Sequence, residues 1–162
     1  MTFFVKSPFA YLFDISVLYS IGKPYTLIRD QYPFPLAPQS QKWFLKLLGF
    51  EALREHTIEL MQGLQQQNEI WIYTSSMRDL FYLRLLFRWQ GIFLGGVVNL
   101  TVHEQHVKMR CTKYPPAFGI DLLIDDARGV EIEGRKYDFN VLRVAPDDED
   151  WYVKVMAKIN VH

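Results

Sequence analysis

The chain has 162 residues, a length typical of one domain and sufficient to bury roughly 68–70% of the surface that its unfolded form exposes. Apolar residues make up 49% and charged residues 22%, close to the roughly 45–50% and 25% of ordinary globular domains, which excludes collagen-like and intrinsically disordered chains. Eighteen basic residues balance eighteen acidic ones, so no overall positive charge attracts nucleic acid or anionic membranes.

The single cysteine, Cys111, indicates a reducing compartment, because alone it can form neither an intramolecular disulfide nor a structural zinc site. No signal peptide is expected, since no basic segment precedes an apolar stretch in the first residues and Asp14 interrupts the next apolar run. No apolar stretch reaches the roughly 20 residues that a membrane span needs. These features predict a cytoplasmic protein that does not enter a membrane.

The first half of the chain contains two short apolar runs typical of strands buried on both faces of a sheet. Residues 9–13 form the first run, which ends at Asp14, and residues 70–73 form the second, which ends at Thr74. Between them, apolar residues flanking a Gly/Pro turn predict a small hairpin over 17–28, and a proline-rich loop follows over 32–38. Ser40 is the candidate N-cap of a long helical region that reaches residue 64.

The second half of the chain continues this alternation of strands and helices. A helix is predicted over 77–89, capped by one of the hydroxyl residues 74–76 and ended by Gly91. Strands are predicted over 97–102, 120–124 and 139–144, and a last helix over 147–159. The alternating order indicates an α/β fold with a mainly parallel central sheet flanked by helices.

Polar side chains follow three of the predicted strands. Asp14 ends the first, Thr74 and Ser75 follow the second, and an acidic pair at 125–126 ends the strand over 120–124. Ligands bind beyond the carboxyl ends of parallel strands, so these groups are expected to converge at one edge of the sheet. Carboxylates at close range repel one another unless a hard cation such as Mg²⁺ neutralises them, which predicts a magnesium site.

Lys113 is expected to reach the same edge from the turn that precedes the strand over 120–124. A metal ion and an ammonium group neutralise phosphoryl oxygens, a hydroxyl group donates a hydrogen bond to one of them, and a carboxylate can attack phosphorus. The residues therefore favour phosphoryl chemistry.

The order Asp14, Thr74 or Ser75, Lys113 and the acidic pair 125–126 resembles the four motifs of the haloacid dehalogenase-like (HAD) superfamily over most of the chain. The resemblance implies a single HAD-like Rossmannoid domain over residues 1–162. Receiver domains of two-component signalling use similar residues, but their acidic pair precedes the other motifs, whereas here it comes last.

The HAD resemblance also implies a role for each motif. Asp14 would be the nucleophile and a Mg²⁺ ligand, the hydroxyl residue and Lys113 would hold the phosphoryl group, and Asp125 and Asp126 would complete the metal site. The short sequence between the motifs resembles capless members, whose open sites often accept bulky or macromolecular phosphates. The expected partner is a phosphorylated substrate, small or macromolecular. A small hairpin follows the first strand, and no large cap domain is expected.

One position departs from the pattern of HAD phosphatases, which carry a second aspartate two residues after the nucleophile. This chain has Ser16 there. A serine hydroxyl cannot replace a carboxylate as general acid and base, a role typically worth about 10²–10⁴-fold in rate. The Ser16 backbone carbonyl could still bind the metal. The sequence therefore predicts a phosphohydrolase or phosphotransferase with impaired or altered chemistry, or else a catalytically silent phosphate-binding or protein-interaction domain.

Other motifs have weaker functional interpretations. His103 and His106 have a spacing found in zinc sites, but a strand would point them to opposite faces. Cys111 is expected to be a small buried apolar residue. The helix predicted over 77–89 carries Arg78, Arg84 and Arg88, which leave nucleic-acid binding as a further alternative. The many aromatic residues are compatible with a homo-oligomer interface.

Overall fold

The computed structural model describes residues 9–14, 17 and 53–159. Its centre is a five-stranded sheet in which each pair of neighbouring strands is parallel. The strands are β1 (Ala10–Asp14), β2 (Glu69–Tyr73), β3 (Gly96–Val98), β4 (Leu122–Asp125) and β5 (Val141–Arg143).

The strands lie in the order β3-β2-β1-β4-β5. The chain adds β2 and β3 on one side of β1, then crosses to the other side for β4 and β5. β1 is therefore central, and the direction of winding changes between β1 and β4. All five residues of β1 are buried, as expected for a strand covered on both faces.

Helices cover both faces of this sheet. They are α1 (Thr57–Leu64), α2 (Leu80–Trp89), α3 (Leu100–His106), the short 3₁₀ helix Pro115–Phe118, α4 (Arg128–Tyr137) and α5 (Trp151–Ile159). One core joins Tyr11 and Phe13 of β1 to apolar side chains of α1, α2 and α5, and the other joins Ala10 and Leu12 to side chains of α4 and of the segments around it. The alternation follows from the two-residue period of a strand, which sends neighbouring side chains to opposite faces.

The structure confirms the predicted α/β class with a parallel central sheet, and a strand lies within or overlaps each predicted strand region. Gly91 ends α2 with a φ of 74°, a conformation that glycine adopts without steric cost. No cap domain is present in the described ranges. Of the helices described there, none is long and apolar enough to cross a membrane.

The strand predicted over 97–102 is wrong in its second half. β3 ends at Val98, and α3 begins at Leu100. The Asn99 side chain caps α3 by accepting a hydrogen bond from the Val102 backbone N–H at 3.0 Å. The β-branched residues after Asn99 favoured a strand, but the cap and the packing of α3 on the sheet favour a helix.

Other parts of the chain either differ from the sequence prediction or lie outside the residues that the structure describes. No element was predicted between 127 and 138, where α4 forms with Val130 and Gly134 as its buried residues. Of the predicted hairpin only Val17 is described, and its backbone is helical. The proline-rich loop and Ser40 lie outside the described residues, whereas α1 occupies the end of the predicted helical region.

Candidate functional site

Three polar residues stand at the carboxyl edge of the sheet, where β1, β2 and β4 end. Asp14 is the last residue of β1 and pairs with Tyr73, the last residue of β2, so Thr74 follows directly beyond that pair. The register between β1 and β4 places Asp125 beside Asp14 on the neighbouring strand. The winding of the sheet reverses between these two strands, and ligands of open parallel sheets bind in the crevice at such a point.

Lys113 reaches this edge from the segment between α3 and the 3₁₀ helix. Its Nζ atom lies 2.6 Å from Asp125 Oδ2 and also contacts Asp14 Oδ2. Lys113 is 2% exposed, Asp14 is 5% exposed and Asp125 is fully buried. The structure thus brings three predicted site residues, distant in sequence, into one buried cluster.

Opposite charges meet closely in this cluster. The carboxylates of Asp14 and Asp125 share the ammonium group of Lys113 in a buried place, where a charge is costly unless it is compensated. Burial lowers the pKa of Lys113, and the negative charges of Asp125 and Asp126 oppose that shift. Carboxylate oxygens of two neighbouring strands are thus held together at one edge of the sheet.

Asp125 is fixed at both its side chain and its backbone. Its Oδ1 atom accepts a hydrogen bond from the Ala127 backbone N–H at 2.8 Å, while Oδ2 accepts the bond from Lys113. Its backbone carbonyl accepts from the Val144 N–H at 2.9 Å, which ties the end of β4 to the residue after β5. The carboxylate is thus oriented before any ligand binds.

Thr74 and Ser75 do not cap α2, contrary to the N-cap prediction for residues 74–76. Asp79 is the N-cap, and its Oδ1 atom accepts from the Tyr82 backbone N–H at 2.7 Å. Thr74 is 2% exposed, and its Oγ1 atom lies 2.8 Å from Ser76 Oγ. Ser75 is exposed. Both residues follow β2 directly, so both predicted phosphate ligands remain at the edge of the sheet.

Asp126 is half-buried and follows Asp125 at the end of β4. Its backbone carbonyl lies 3.4 Å from Arg143 Nε, which donates to it. Its negative charge raises the pKa of both Lys113 and Arg54, against the larger lowering that burial causes in each. Asp126 therefore contributes to the negative potential of the site.

The structure brings together only some of the predicted metal ligands. The structure sets the carboxylates of Asp14 and Asp125 around a common ammonium group. Across residues 9–14, 17 and 53–159, no three His, Cys, Asp or Glu side chains are grouped as a metal site would require. Ser16 lies outside the described residues. The full ligand set, with Ser16 and Asp126, remains a prediction.

A buried pair that the sequence did not reveal lies next to this site. The Tyr73 hydroxyl group hydrogen-bonds to Nδ1 of His103, and the two residues are 0% and 8% exposed. The Lys113 ammonium group lies 5.9 Å from the centre of the Tyr73 ring. In the sequence, Tyr73 ends a predicted buried strand and His103 lies in an apolar stretch. Neither pattern indicates that the two side chains contact each other.

The histidine spacing and Cys111 differ from their sequence interpretations. His103 and His106 lie on α3, not on a strand: His103 is buried against Tyr73, whereas His106 is exposed, with Nδ1 2.9 Å from the Val102 carbonyl. Cys111 is half-buried, not fully buried, and burial raises the pKa of its thiol.

The arginine helix, α2, presents two exposed arginines together with exposed apolar side chains. Arg84 and Arg88 take part in no ion pair within the described part of the chain, and the Arg88 guanidinium lies 5.1 Å from the centre of the Phe93 ring. On the same helix Phe81 is 73% exposed and Trp89 is 57% exposed. This surface belongs to a helix that packs on one face of the sheet. Among the contacts of the described residues, none joins these side chains to Asp14, Lys113 or Asp125.

Neither a protein-family model nor a curated protein sequence matches this chain. Among solved structures, the chain is similar to a protein described as a predicted HAD-like family hydrolase from Porphyromonas gingivalis. The two are 11% identical with a TM-score of 0.47, over 97% of this chain and 100% of that chain.

Proposed function

We propose that this chain is a Mg²⁺-dependent, HAD-like phosphohydrolase or phosphotransferase that acts through an aspartyl-phosphate at Asp14. The observation that supports the proposal is the buried convergence of Asp14, Lys113 and Asp125 where the winding of the sheet reverses. In this proposal residues 1–162 form one cytoplasmic domain, and the substrate is a small or macromolecular phosphate.

The chemistry of the donor groups fits Mg²⁺. Carboxylate oxygens are the ligands that this hard cation prefers, and Asp14 and Asp125 supply them from neighbouring strands. Asp14, Asp125, Asp126 and the Ser16 backbone carbonyl would hold the ion. When bound, Mg²⁺ supplies positive charge that stabilises the oxygens of a transferring phosphoryl group.

The remaining residues of the site have distinct roles in this reaction. Thr74 and Ser75 donate hydrogen bonds to phosphoryl oxygens, and the Lys113 ammonium group neutralises them. An Asp14 carboxylate oxygen attacks phosphorus, and the bond to the leaving-group oxygen breaks with its electron pair staying on that oxygen, which takes up a proton from solvent. Water or an acceptor hydroxyl then attacks the same phosphorus, loses its proton and frees the Asp14 carboxylate.

Ser16 determines which of these steps is slow. With a serine where a second aspartate would act as general acid and base, neither leaving-group protonation nor water activation is assisted by a carboxylate there. We therefore expect slow hydrolysis of the aspartyl-phosphate. A catalytically silent domain that binds phosphate or a protein partner is the main alternative, and it shares the same binding residues.

A nucleic-acid-binding function is a further candidate because Arg84 and Arg88 are exposed beside exposed aromatic side chains of α2 and form no ion pair with another described residue. Arginine and aromatic residues together bind single strands through charge and base stacking. The test is single-stranded DNA binding as a function of salt, with Arg84→Ala and Arg88→Ala. Loss of affinity and a flatter salt dependence in these variants would favour this function, and undetectable binding would exclude it.

The exposed apolar side chains of α2 also support a homo-oligomer. Phe81, Leu85 and Trp89 follow one another at four-residue spacing on the outer side of the helix. Large exposed apolar patches commonly mark interfaces. Phe81→Glu should convert an oligomer to a monomer in analytical ultracentrifugation, whereas an unmodified chain that is already monomeric contradicts this proposal.

The phosphohydrolase proposal is tested with a panel of phosphorylated substrates, with and without Mg²⁺. We expect Mg²⁺-dependent release of orthophosphate that Asp14→Asn abolishes. Asp147→Asn, an exposed aspartate, is the matched control and should leave turnover unchanged. Turnover that survives Asp14→Asn would exclude Asp14 as the nucleophile, and orthophosphate binding without turnover would favour the silent domain.

A further inference from the structure

α2 lies at one edge of the sheet, where it packs against the edge strand β3. Its inner side is buried in the core through Leu83, Leu86 and Phe87. Its outer side carries an apolar row at four-residue spacing, which we call the α2 row: Phe81, Leu85 and Trp89. Because one helical turn takes 3.6 residues, each side chain of the row is displaced by only about 40° from the one before it.

The large apolar side chains that the described residues expose are concentrated at this helix. Phe81 and Trp89 are each more than half exposed, and so is Phe93 just beyond the end of α2. The Arg88 guanidinium lies 5.1 Å from the centre of the Phe93 ring, which places Phe93 beside the exposed side of the helix. Elsewhere such side chains lie apart from one another along the chain, as Met109, Ile132 and Val153 do. The outer side of α2 is therefore a continuous apolar patch.

The area of this patch is sufficient for an interface between two copies of the chain. A large aromatic side chain buries roughly 150–250 Å², so the α2 row and Phe93, with the aliphatic stems of Arg84 and Arg88, offer about 600 Å² per copy. Two copies packed through the patch would bury roughly 1,200 Å², the lower end of the roughly 1,200–2,000 Å² of specific interfaces. Left in water, the patch would be as large as the largest patches of typical monomers, roughly 300–600 Å².

The α2 row is also complementary to itself. A twofold axis through Leu85, perpendicular to the helix, sets Leu85 against its own copy and sets Phe81 of each copy against Trp89 of the other. The smaller residue then lies at the centre, with an aromatic pair on each side. Rows of residues four positions apart pack against each other in the commonest class of helix pair, with axes crossing at about −50°. The antiparallel direction also makes the two helix dipoles attract each other.

We propose that α2 is a dimer interface in which the α2 rows of two copies pack antiparallel about a twofold axis at Leu85. The inference rests on the homo-oligomer proposed above, and it adds the number of copies, the direction of the helices and the residue at the axis. It does not depend on the proposed phosphoryl chemistry, because the patch and the Asp14 cluster share no contact among the described residues.

The arginines of α2 give this dimer a characteristic salt dependence. Arg84 and Arg88 lie on one flank of the α2 row and form no ion pair with another described residue. A twofold axis perpendicular to antiparallel helices keeps the same flank of both helices on the same side, so the arginines of the two copies approach each other. Salt screens this repulsion. The dimer should therefore become tighter as salt is raised, whereas nucleic-acid binding becomes weaker.

Disulfide trapping tests the position of the axis. Every variant also carries Cys111→Ser, so that the introduced thiol is the only one in the chain. With helix axes about 8–10 Å apart and Cα atoms about 2.3 Å from each axis, the two copies of residue 85 have Cα atoms about 5 Å apart, within disulfide range. We expect Leu85→Cys to form a linked dimer at least about tenfold faster than Ile132→Cys, the matched control at a more exposed apolar residue of α4.

Arg88→Cys distinguishes antiparallel from parallel helices and leaves the α2 row intact. In the antiparallel pair the two copies of residue 88 lie on opposite sides of the axis, six positions apart, which is about 9 Å along the helix and beyond disulfide reach. In a parallel pair they lie side by side. Arg88→Cys should therefore be trapped no faster than Ile132→Cys.

Sedimentation velocity over a roughly 100-fold range of concentration gives the oligomeric state. We expect the unmodified chain to form a dimer that Phe81→Glu converts to a monomer, with a dissociation constant that falls several-fold between about 50 and 500 mM NaCl. A chain that is monomeric throughout contradicts both the homo-oligomer and the α2 pairing, and salt-sensitive single-stranded DNA binding would then assign the patch to nucleic acid.

Other outcomes overturn the α2 pairing while the homo-oligomer stands. They are a dimer that Phe81→Glu leaves intact, a dimer in which Leu85→Cys is trapped no faster than Ile132→Cys, and a dimer in which Arg88→Cys is trapped as fast as Leu85→Cys. None of these results bears on Asp14, whose role is decided by the substrate panel.

Discussion

Asp14 and Asp125 end neighbouring parallel strands, and the ammonium group of Lys113 contacts a carboxylate oxygen of each. This arrangement places one ammonium group between two buried carboxylates. It predicts consequences for stability, for cation binding and for reactivity, and each can be measured separately.

Replacing the shared ammonium group should destabilise the fold. Lys113→Met keeps most of the side-chain volume but leaves two buried carboxylates facing each other, so we expect a loss of about 3–5 kcal/mol in the free energy of unfolding. Lys154→Met is the matched control, since Lys154 is 56% exposed and pairs with Asp148 at 2.5 Å, and it should cost less than about 1 kcal/mol. Urea unfolding measures both; equal losses would contradict the buried-cluster account.

Mg²⁺ binding should depend on Asp125. Asp125→Asn keeps the shape of the side chain but removes a negative charge and a ligand oxygen, so calorimetry should show affinity weaker by at least about tenfold. The same substitution at Asp138, an exposed residue, should have no effect. If Asp125→Asn binds Mg²⁺ as tightly as the unmodified chain while retaining its fold, the ion is not held at this edge.

The buried imidazole of His103 predicts a pH dependence of stability. Burial lowers the pKa of His103 below its ordinary 6.5, although Glu104 and Glu133 oppose the shift. The unfolded state therefore binds a proton at a higher pH than the folded state, and this contribution to stability is lost as the pH falls below 6.5 toward the lowered value.

The corresponding measurement compares urea unfolding of the unmodified chain and His103→Asn between pH 8 and 5, an interval set around the ordinary histidine pKa of about 6.5. We expect the stability difference in favour of the unmodified chain to shrink as the pH falls. A constant difference across this interval would show that His103 is not held neutral.

The sequence predicted that Asp14 and Asp125 would lie close together because both follow buried strands. Apolar runs covered on both faces indicated the strands, and the parallel arrangement then brought Asp14 and Asp125 to one edge. The position of Lys113 was predicted from the turn that precedes the strand over 120–124 and from the motif order, since no local pattern places a lysine of an irregular segment inside a cluster of carboxylates.

Other features could not be predicted because they depend on contacts between distant residues. Tyr73 and His103 are 30 positions apart and meet only once α3 covers the sheet. The start of α3 depends on the Asn99 cap, which competes with the strand propensity of Val102. α4 is mostly polar and has only two buried residues, so few apolar side chains mark it in the sequence.

Ser16 predicts that the covalent intermediate decays slowly. If the missing carboxylate normally activates water, Ser16→Asp should raise steady phosphatase turnover, within the range of about 10²–10⁴-fold that general acid–base catalysis supplies. Ser75→Asp is a comparison variant that adds a carboxylate elsewhere at the same edge and should not raise turnover. An unchanged rate in Ser16→Asp, with fold and Mg²⁺ binding intact, would count against hydrolysis through Asp14.

The central claim is that the Asp14 carboxylate accepts a phosphoryl group. The most direct measurement is mass spectrometry of the intact chain and its peptides after incubation with acetyl phosphate and Mg²⁺. The account predicts one added phosphoryl group on the peptide that contains Asp14, accumulating in the unmodified chain and absent in Asp14→Asn. A chain that binds Mg²⁺ yet acquires no phosphoryl group on Asp14 with any acyl phosphate would contradict the claim and favour the silent phosphate-binding domain.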